Sequence, residues 1–391
     1  MGSVQKGIGD TLGSLVIIIA LGAMLGKLVA DSGAAQKIAA VMMQAFGTKY
    51  IQWALVATGF IIGIPLFYGV GFVLVVPLIF SVVYQYKLPA VYIGLPMLAA
   101  LSVTFGFLPP HPSPTALVVQ FHANIGLTLL YGLILAVPAI VIAGPLYAKT
   151  LKHIHSVPLK TFQPHTLSAD QLPGAFDSFI SALLPVILLM ITTIVPYLVT
   201  LPPSLQKVFS FLAEPAIVML ISLAFSTYKL GILQGKKTRQ IMDLYTDSIK
   251  DIAVILLIIG ASGALKQVLT DSGISEQIAS KLNDVPIHPL LLAWLIAAII
   301  RISVGSATVA GLTTAGIIAP LMAQTHVNPN LMVLSIGAGS LTCSHVNDGG
   351  FWLFKEYFNL SIKDTLRSWT VMETIIALVG LGGVMLLSLV V

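Results

Sequence analysis

"GFLPPHPSPTALV", Gly106 to Val118, sets four prolines and a histidine inside apolar chain. Pro109, Pro110, Pro112 and Pro114 donate no backbone hydrogen bond, and each disfavours helix in the residue before it. A helix arriving here must break. The break frees N–H and C=O groups that lipid cannot satisfy, so it must face protein or a wet cavity.

The rest of the chain is equally apolar. Of 391 residues 57% are hydrophobic and only 9% charged, with a mean hydropathy of +0.97; a soluble domain carries about 25% charged residues. Apolar runs near the roughly 20 residues that span a bilayer recur at Leu12–Ala30, Leu127–Ala148, Phe179–Val199, Ile252–Leu269 and Trp369–Val391. The first lacks the short core and small-residue cleavage pattern of a signal peptide. The single cysteine, Cys343, excludes an intrachain disulfide and a cysteine metal cluster. No cofactor and no metal are expected.

The net charge of +5 reflects topology rather than nucleic-acid binding, because the basic residues sit between spans. Lys149, Lys152 and Lys160 fall in one stretch, 149–176; Lys229, Lys236, Lys237, Arg239 and Lys250 fall in another, 229–250. Two apolar spans separate them, so they share a side, and the positive-inside rule makes it cytoplasmic. Both stretches are expected as cytoplasmic loops, with scaffold helices over 177–228. Lys37, Lys49, Lys87, Lys355, Lys363 and Arg367 then fall inside. Lys6, Lys207, Lys266 and Lys281 fall outside, and Lys27 and Arg301 lie within apolar segments. Lys27 and Asp31, four apart, read as a helix-surface pair rather than a site.

The two halves repeat each other. "GAMLGKLVADSGAAQKIA" (Gly22–Ala39) aligns with "SGALKQVLTDSGISEQIA" (Ser262–Ala279); in the same order Trp53 then pairs with Trp294, and "FHANIGLTL" (Phe121–Leu129) with "FNLSIKDTL" (Phe358–Leu366). On the charge assignment Leu12–Ala30 runs inward and Ile252–Leu269 outward, so the repeats are inverted. Each half, 1–148 and 251–391, carries two interruptions. "GIPLFYGVG" (Gly63–Gly71) and "SVGSATVAG" (Ser303–Gly311) lie between arms too short to span, which suits re-entrant hairpins over about 50–85 and 289–325. "FLPPHPSPT" (Phe107–Thr115) and "CSHVNDGGF" (Cys343–Phe351) break helices over about 90–122 and 330–358. Inverted repeats with interrupted helices are the architecture of secondary transporters, whose sites lie near the midplane. Half-helix N-termini there offer positive dipole ends to anions. The fold expected is an all-α polytopic membrane protein.

"GFLPPHPSPTA", "RISVGSATVAG" and "SHVNDGGFWLFKEYFNLSIKDTLRSWTVMETI" resemble the gluconate permease family of bacterial proton-coupled symporters, over essentially the whole chain. The resemblance implies import of gluconate or a related sugar acid across the inner membrane, with D-serine-like hydroxy acids as the alternative. It also implies elevator-type transport, in which two hairpins and two broken helices slide against a scaffold, often within a homodimer in lipid. Two departures stand out. The family has about two more spans before the segment matching "GIGDTLGSL"; here that segment starts at Gly7, just downstream of Met1. It also carries an acid after the aromatic pair of the first hairpin, where this chain has Gly69 after Phe67-Tyr68.

Asp348 is the only carboxylate in the four breaks. A carboxylate at membrane depth is a functional candidate: it can accept the coupled proton or bind substrate hydroxyls, or it can cap the half-helix starting near Phe351. Arg301 suits a bidentate clamp on a substrate carboxylate, or a structural ion pair with Asp348. His111 and His345 are candidates for proton relay, or else neutral hydrogen-bonding groups. His122 reads as interfacial, and His153 and His155 as solvated. Ser113, Thr115, Ser306, Thr308, Ser344 and Asn347 offer the groups a polyhydroxy acid needs, with Gly305 and Gly349 letting backbone N–H approach; Phe67 and Tyr68 complete the substrate-facing set. An enzyme is disfavoured, since HExxH is absent and no GxSxG falls in a span. An anion channel is the rival from another class.

Overall fold

The computed structural model describes residues 2–391 apart from 48, 67, 155, 157–166, 169–170, 200–201, 273–286, 323–324 and 326. Phe67, His155, Lys160, Lys281 and the repeat positions Gly273, Ile278 and Ala279 therefore lie outside the described residues.

The described chain is helical. α1 (Gly2–Asp31) and α2 (Ala34–Phe46) meet at Gly33, whose φ of 79° is the left-handed backbone that glycine adopts without strain; the pair is bent by 62°. α3 (Ile51–Gly63) turns at Pro65 into α4 (Tyr68–Tyr86). α5 (Ala90–Phe107) breaks and resumes as α6 (Pro112–Gln120), and α7 (Ile125–Val141) follows. α8 (Ala175–Leu198), α9 (Pro203–Leu212) and α10 (Pro215–Ser226) lead to α11 (Thr238–Asp271). The hairpin-then-break order then recurs: α12 (Pro289–Val304), α13 (Ala307–Met322), α14 (Pro329–Gly339) and α15 (Gly349–Tyr357). α16 (Val371–Leu387) is entered through the helical turns Ile362–Thr365 and Leu366–Thr370.

The sequence explains where these helices start and stop. Pro112, Pro289 and Pro329 each open a helix at its first turn, where a missing N–H costs nothing and φ is already helical. Asn124, Asn328 and Asp348 cap α7, α14 and α15 through side-chain oxygens on backbone N–H groups. The α12–α13 turn needs Gly305, with φ 81°. At 1.5 Å per residue, 16-residue arms such as α12 and α13 reach about 24 Å, short of the roughly 30 Å of bilayer hydrocarbon. The segments Ala90–Gln120, Ile125–Leu151, Pro215–Gln234 and Ile362–Leu387 are long and apolar enough to cross, and the bent α1–α2 pair adds a fifth.

α5 is the centre of the molecule: every residue in it but Tyr92 and Phe105 is buried. A helix apolar on all sides must be enclosed by others, and α3, α4, α7 and α14 pack around it, while α1 lies along α11.

Two expectations need correction. The stretch 229–250 is not an extended loop, because α11 begins at Thr238. A hydropathy reading sees only the apolar part of a helix that continues into water. Lys27 and Asp31 do not pair with each other: Lys27 Nζ reaches Asp251 Oδ2 at 3.0 Å and Asp31 Oδ2 takes Lys236 Nζ at 2.8 Å. Asp251 and Lys236 come from the other half of the chain, and a partner on a neighbouring helix cannot be seen in one helix's spacing.

Candidate functional site

The α12–α13 turn and the α14–α15 break are fastened to each other. A Cβ on Gly305 would strike the Asn347 carbonyl. Asn347 Nδ2 donates to the Ile302 carbonyl at 2.7 Å, and His345 Nε2 lies 3.1 Å from the same oxygen. The carbonyl at the end of α12 thus holds two residues of the break.

One chain of hydrogen bonds then fixes the charges. Trp369 Nε1 donates to Ser344 Oγ at 2.8 Å, and Ser344 Oγ donates to Asp348 Oδ2. Arg301 Nη2 donates to that same oxygen at 2.5 Å. Asp348 Oδ1 accepts from Gly350 N at 3.0 Å, so the carboxylate both pairs with Arg301 and caps α15. The two readings left open in the sequence, cap and ion pair, coexist. The Arg301 side chain is 3% exposed, yet its Nε and Nη1 have no hydrogen-bond partner among the described residues. A buried donor left unpaired is costly, and both of these nitrogens carry N–H groups that can only donate.

Arg301, Gly305, Asn347, Asp348, Gly350 and Trp369 line a cavity of about 360 Å³. Its walls come from the first half as well as the second: Tyr68 at the start of α4, and Ser102 and Phe105 of α5, face Arg301, the turn Val304–Thr308, Asn347–Gly350, Trp369 and Glu373. Glu373 is buried, and Ser102 Oγ donates to its Oε1 at 2.6 Å. The Tyr68 hydroxyl is buried without a hydrogen-bond partner among the described residues.

Of the residues singled out in the sequence, Tyr68, Arg301, Gly305, Ser306, Thr308, Asn347, Asp348 and Gly349 are thus brought together, with Ser344 behind Asp348 and His345 on the rim contact. His111 is not among them. It is buried, its Nε2 lies 2.8 Å from the Gly63 carbonyl, and it stacks edge-on against Phe105, the ring that separates it from the cavity. Its structural task is to tie the α5–α6 break to the end of α3. Ser113 and Thr115 on α6 are buried without hydrogen-bond partners among the described residues, Ser113 beside Gly311 of α13. Ser102, Trp369 and Glu373 were missed. A signal existed for the last two: they stand four apart in "WTVME", one helical face, at the mouth of an apolar run.

Residues 1–390 match the family described as GntP family permease. The chain is 49% identical to the high-affinity gluconate transporter of Escherichia coli (strain K12), covering all of this chain and 90% of that one. It is 48% identical to the Gnt-II system L-idonate transporter of the same organism, over 99% of this chain and 88% of that one, and 47% identical to the gluconate permease of Bacillus subtilis (strain 168), over 100% and 89%. Among solved structures, the YdaH transporter of Alcanivorax borkumensis, described as having an unusual topology, superposes with a TM-score of 0.67 at 16% identity over 98% of this chain and 86% of its own. MtrF of Neisseria gonorrhoeae, described within a class of antimetabolite efflux pumps, superposes with 0.71 at 11% identity over 99% and 83%. At those identities the likeness is one of fold.

Proposed function

The chain belongs to the GntP permease family, and on that premise we propose that it carries gluconate or a closely related sugar acid inward together with a proton, by elevator-type alternating access. It is a transporter rather than an enzyme, a multi-pass protein of the bacterial inner membrane.

The observation that carries the substrate reading is Arg301. It lines the cavity with two unpartnered, buried donors, Nε and Nη1, each able to give a charge-assisted hydrogen bond to a carboxylate oxygen. Around it Ser306, Thr308 and Asn347 supply hydroxyl and amide groups for a polyhydroxy chain. One relative is named for L-idonate, so gluconate and L-idonate are the first ligands to compare, and D-serine is the smaller alternative.

Proton coupling rests on energetics. Moving one anion into a cell against about 100 mV costs roughly 2.3 kcal/mol. One proton per monoanion cancels that cost and leaves the pH gradient to drive uptake. Movement by an elevator rests on the repeated hairpin-and-break order, read as inverted repeats, and assembly as a homodimer in lipid belongs to the same reading. An anion channel is the rival.

The test is counterflow in proteoliposomes. Labelled gluconate should be drawn in against excess internal unlabelled gluconate, which a channel does not do. Arg301→Gln should weaken gluconate binding by about one to two orders of magnitude, the worth of a charge-assisted hydrogen bond. Binding at the parent's affinity would remove Arg301 from the substrate site.

A further inference from the structure

Two groups lining the cavity have no task in this account: Glu373 and Ser102. Glu373 is 2% exposed and sits one turn beyond Trp369 on the same face of the last span. Ser102 Oγ holds its Oε1 at 2.6 Å. Among the described residues no cation pairs with Glu373 and no hydrogen bond reaches Oε2. Asp348 is the opposite case. Arg301 Nη2 and Ser344 Oγ occupy one oxygen and Gly350 N the other. Protonating Asp348 would break a buried ion pair and strand the Arg301 cation, whereas a proton on Glu373 Oε2 breaks nothing. An isolated buried carboxylate is costly to keep charged.

We propose that Glu373 is the carboxylate that carries the coupled proton, while Asp348 stays ionised to hold Arg301 toward the substrate. This rests on the reading of the cavity as a sugar-acid symport site. Glu373 Oε2 takes a proton from water on the outer side and returns it to water on the inner side, so no other group changes its bonding. The charge count supplies the coupling. Arg301 and Asp348 cancel, which leaves ionised Glu373 and an incoming anion as like charges in one cavity of about 360 Å³. A proton on Glu373 removes that repulsion. By linkage the proton and the substrate then favour each other's binding by the same factor. The charged or titratable groups sharing the cavity with Glu373 are Arg301 of α12, Asp348 before α15 and Tyr68 of α4. Of the other elements packed on α16, α5 and α7 carry one tyrosine each, Tyr92 and Tyr131, and the turn Leu366–Thr370 carries Arg367, none of them lining the cavity; α14 carries no titratable residue.

The experiment compares the full-length parent with E373Q in proteoliposomes, by two readouts. One is gluconate accumulation driven by an acid-outside pH gradient; the other is gluconate counterflow at equal pH on both sides. E373Q should lose accumulation, with internal label falling to the equilibrium level, and should keep counterflow. Accumulation by E373Q at the parent's level overturns the proposal. So does loss of counterflow together with accumulation in a folded E373Q, since Glu373 would then be a substrate ligand. If E373Q does not fold, E373D and S102A decide. Each should still accumulate gluconate with its pH midpoint displaced, and midpoints identical to the parent's in both overturn the proposal. A parent that shows neither accumulation nor counterflow of any sugar acid sinks the sugar-acid reading itself, an outcome distinct from all of these.

Discussion

Replacing Asp348 by Asn leaves the buried Arg301 guanidinium without its counter-charge, and breaking a buried pair from one side costs about 3–5 kcal/mol. D348N should therefore lower the thermal unfolding midpoint of the purified protein markedly. The double variant R301Q/D348N removes both charges together. It should be more stable than the sum of the single losses allows, with a coupling of about 0.5–3 kcal/mol; strictly additive losses would show that the pair does not act as a unit. Arg301 and Asp348 were legible in the sequence because a charge at membrane depth is rare enough to point to itself. Glu373 was not, although it is the same kind of residue. It stands near the start of the apolar run Trp369–Val391 and reads as a span end, and only the packing of α16 against α5 places it level with the break. His111 shows the converse. Proline spacing locates it in a broken helix, but nothing in the spacing says that its ring turns to the Gly63 carbonyl rather than to the cavity.

At the scale of the element, the α12–α13 turn depends on one glycine. Gly305 has φ 81°, and a Cβ there would overlap the Asn347 carbonyl. The left-handed backbone alone costs an alanine about 1–2 kcal/mol, and the overlap must push the turn away from the break. G305A should lower the unfolding midpoint and weaken gluconate binding together, since Ser306 and Thr308 follow the turn and Asn347 is what it displaces. A G305A protein with the parent's binding would separate the turn from the site. The turns and breaks between these helices were readable because Pro and Gly act on backbone geometry directly. The extent of α11 was not: "TRQIMDLYTDSIK" is polar enough to pass for a loop, yet it forms a half-buried helix in which Ile241, Tyr245 and Ser248 turn inward.

At the scale of the whole molecule, ion pairs and apolar contacts mark two groups of helices. Lys27–Asp251, Lys236–Asp31 and Lys229–Asp177 join α1, α11, α8 and the chain after α10. Arg301–Asp348 joins α12 to the break before α15. The partly exposed pairs are worth only about 0–1 kcal/mol each, but together they brace the first group. Between α1 and α11 on one side and α6 and α13 on the other lies a small, separate apolar cluster: Ile19, Ala23, Ala116, Ile252 and Leu312. Apolar side chains without directional bonds make a face along which one body can slide past another. The proposed elevator movement predicts that this contact changes while contacts within the first group do not. In a C343S background, A23C/A116C should be cross-linked by a short thiol reagent, and the link should stop gluconate counterflow. L12C/G260C is the control, since a Cβ on Gly260 lies 3.3 Å from Leu12 Cδ1 across the α1–α11 contact; it should cross-link with counterflow intact. Complete cross-linking of A23C/A116C with undiminished counterflow would mean that α1 and α6 stay together through the cycle, and the elevator reading would give way to a local gate.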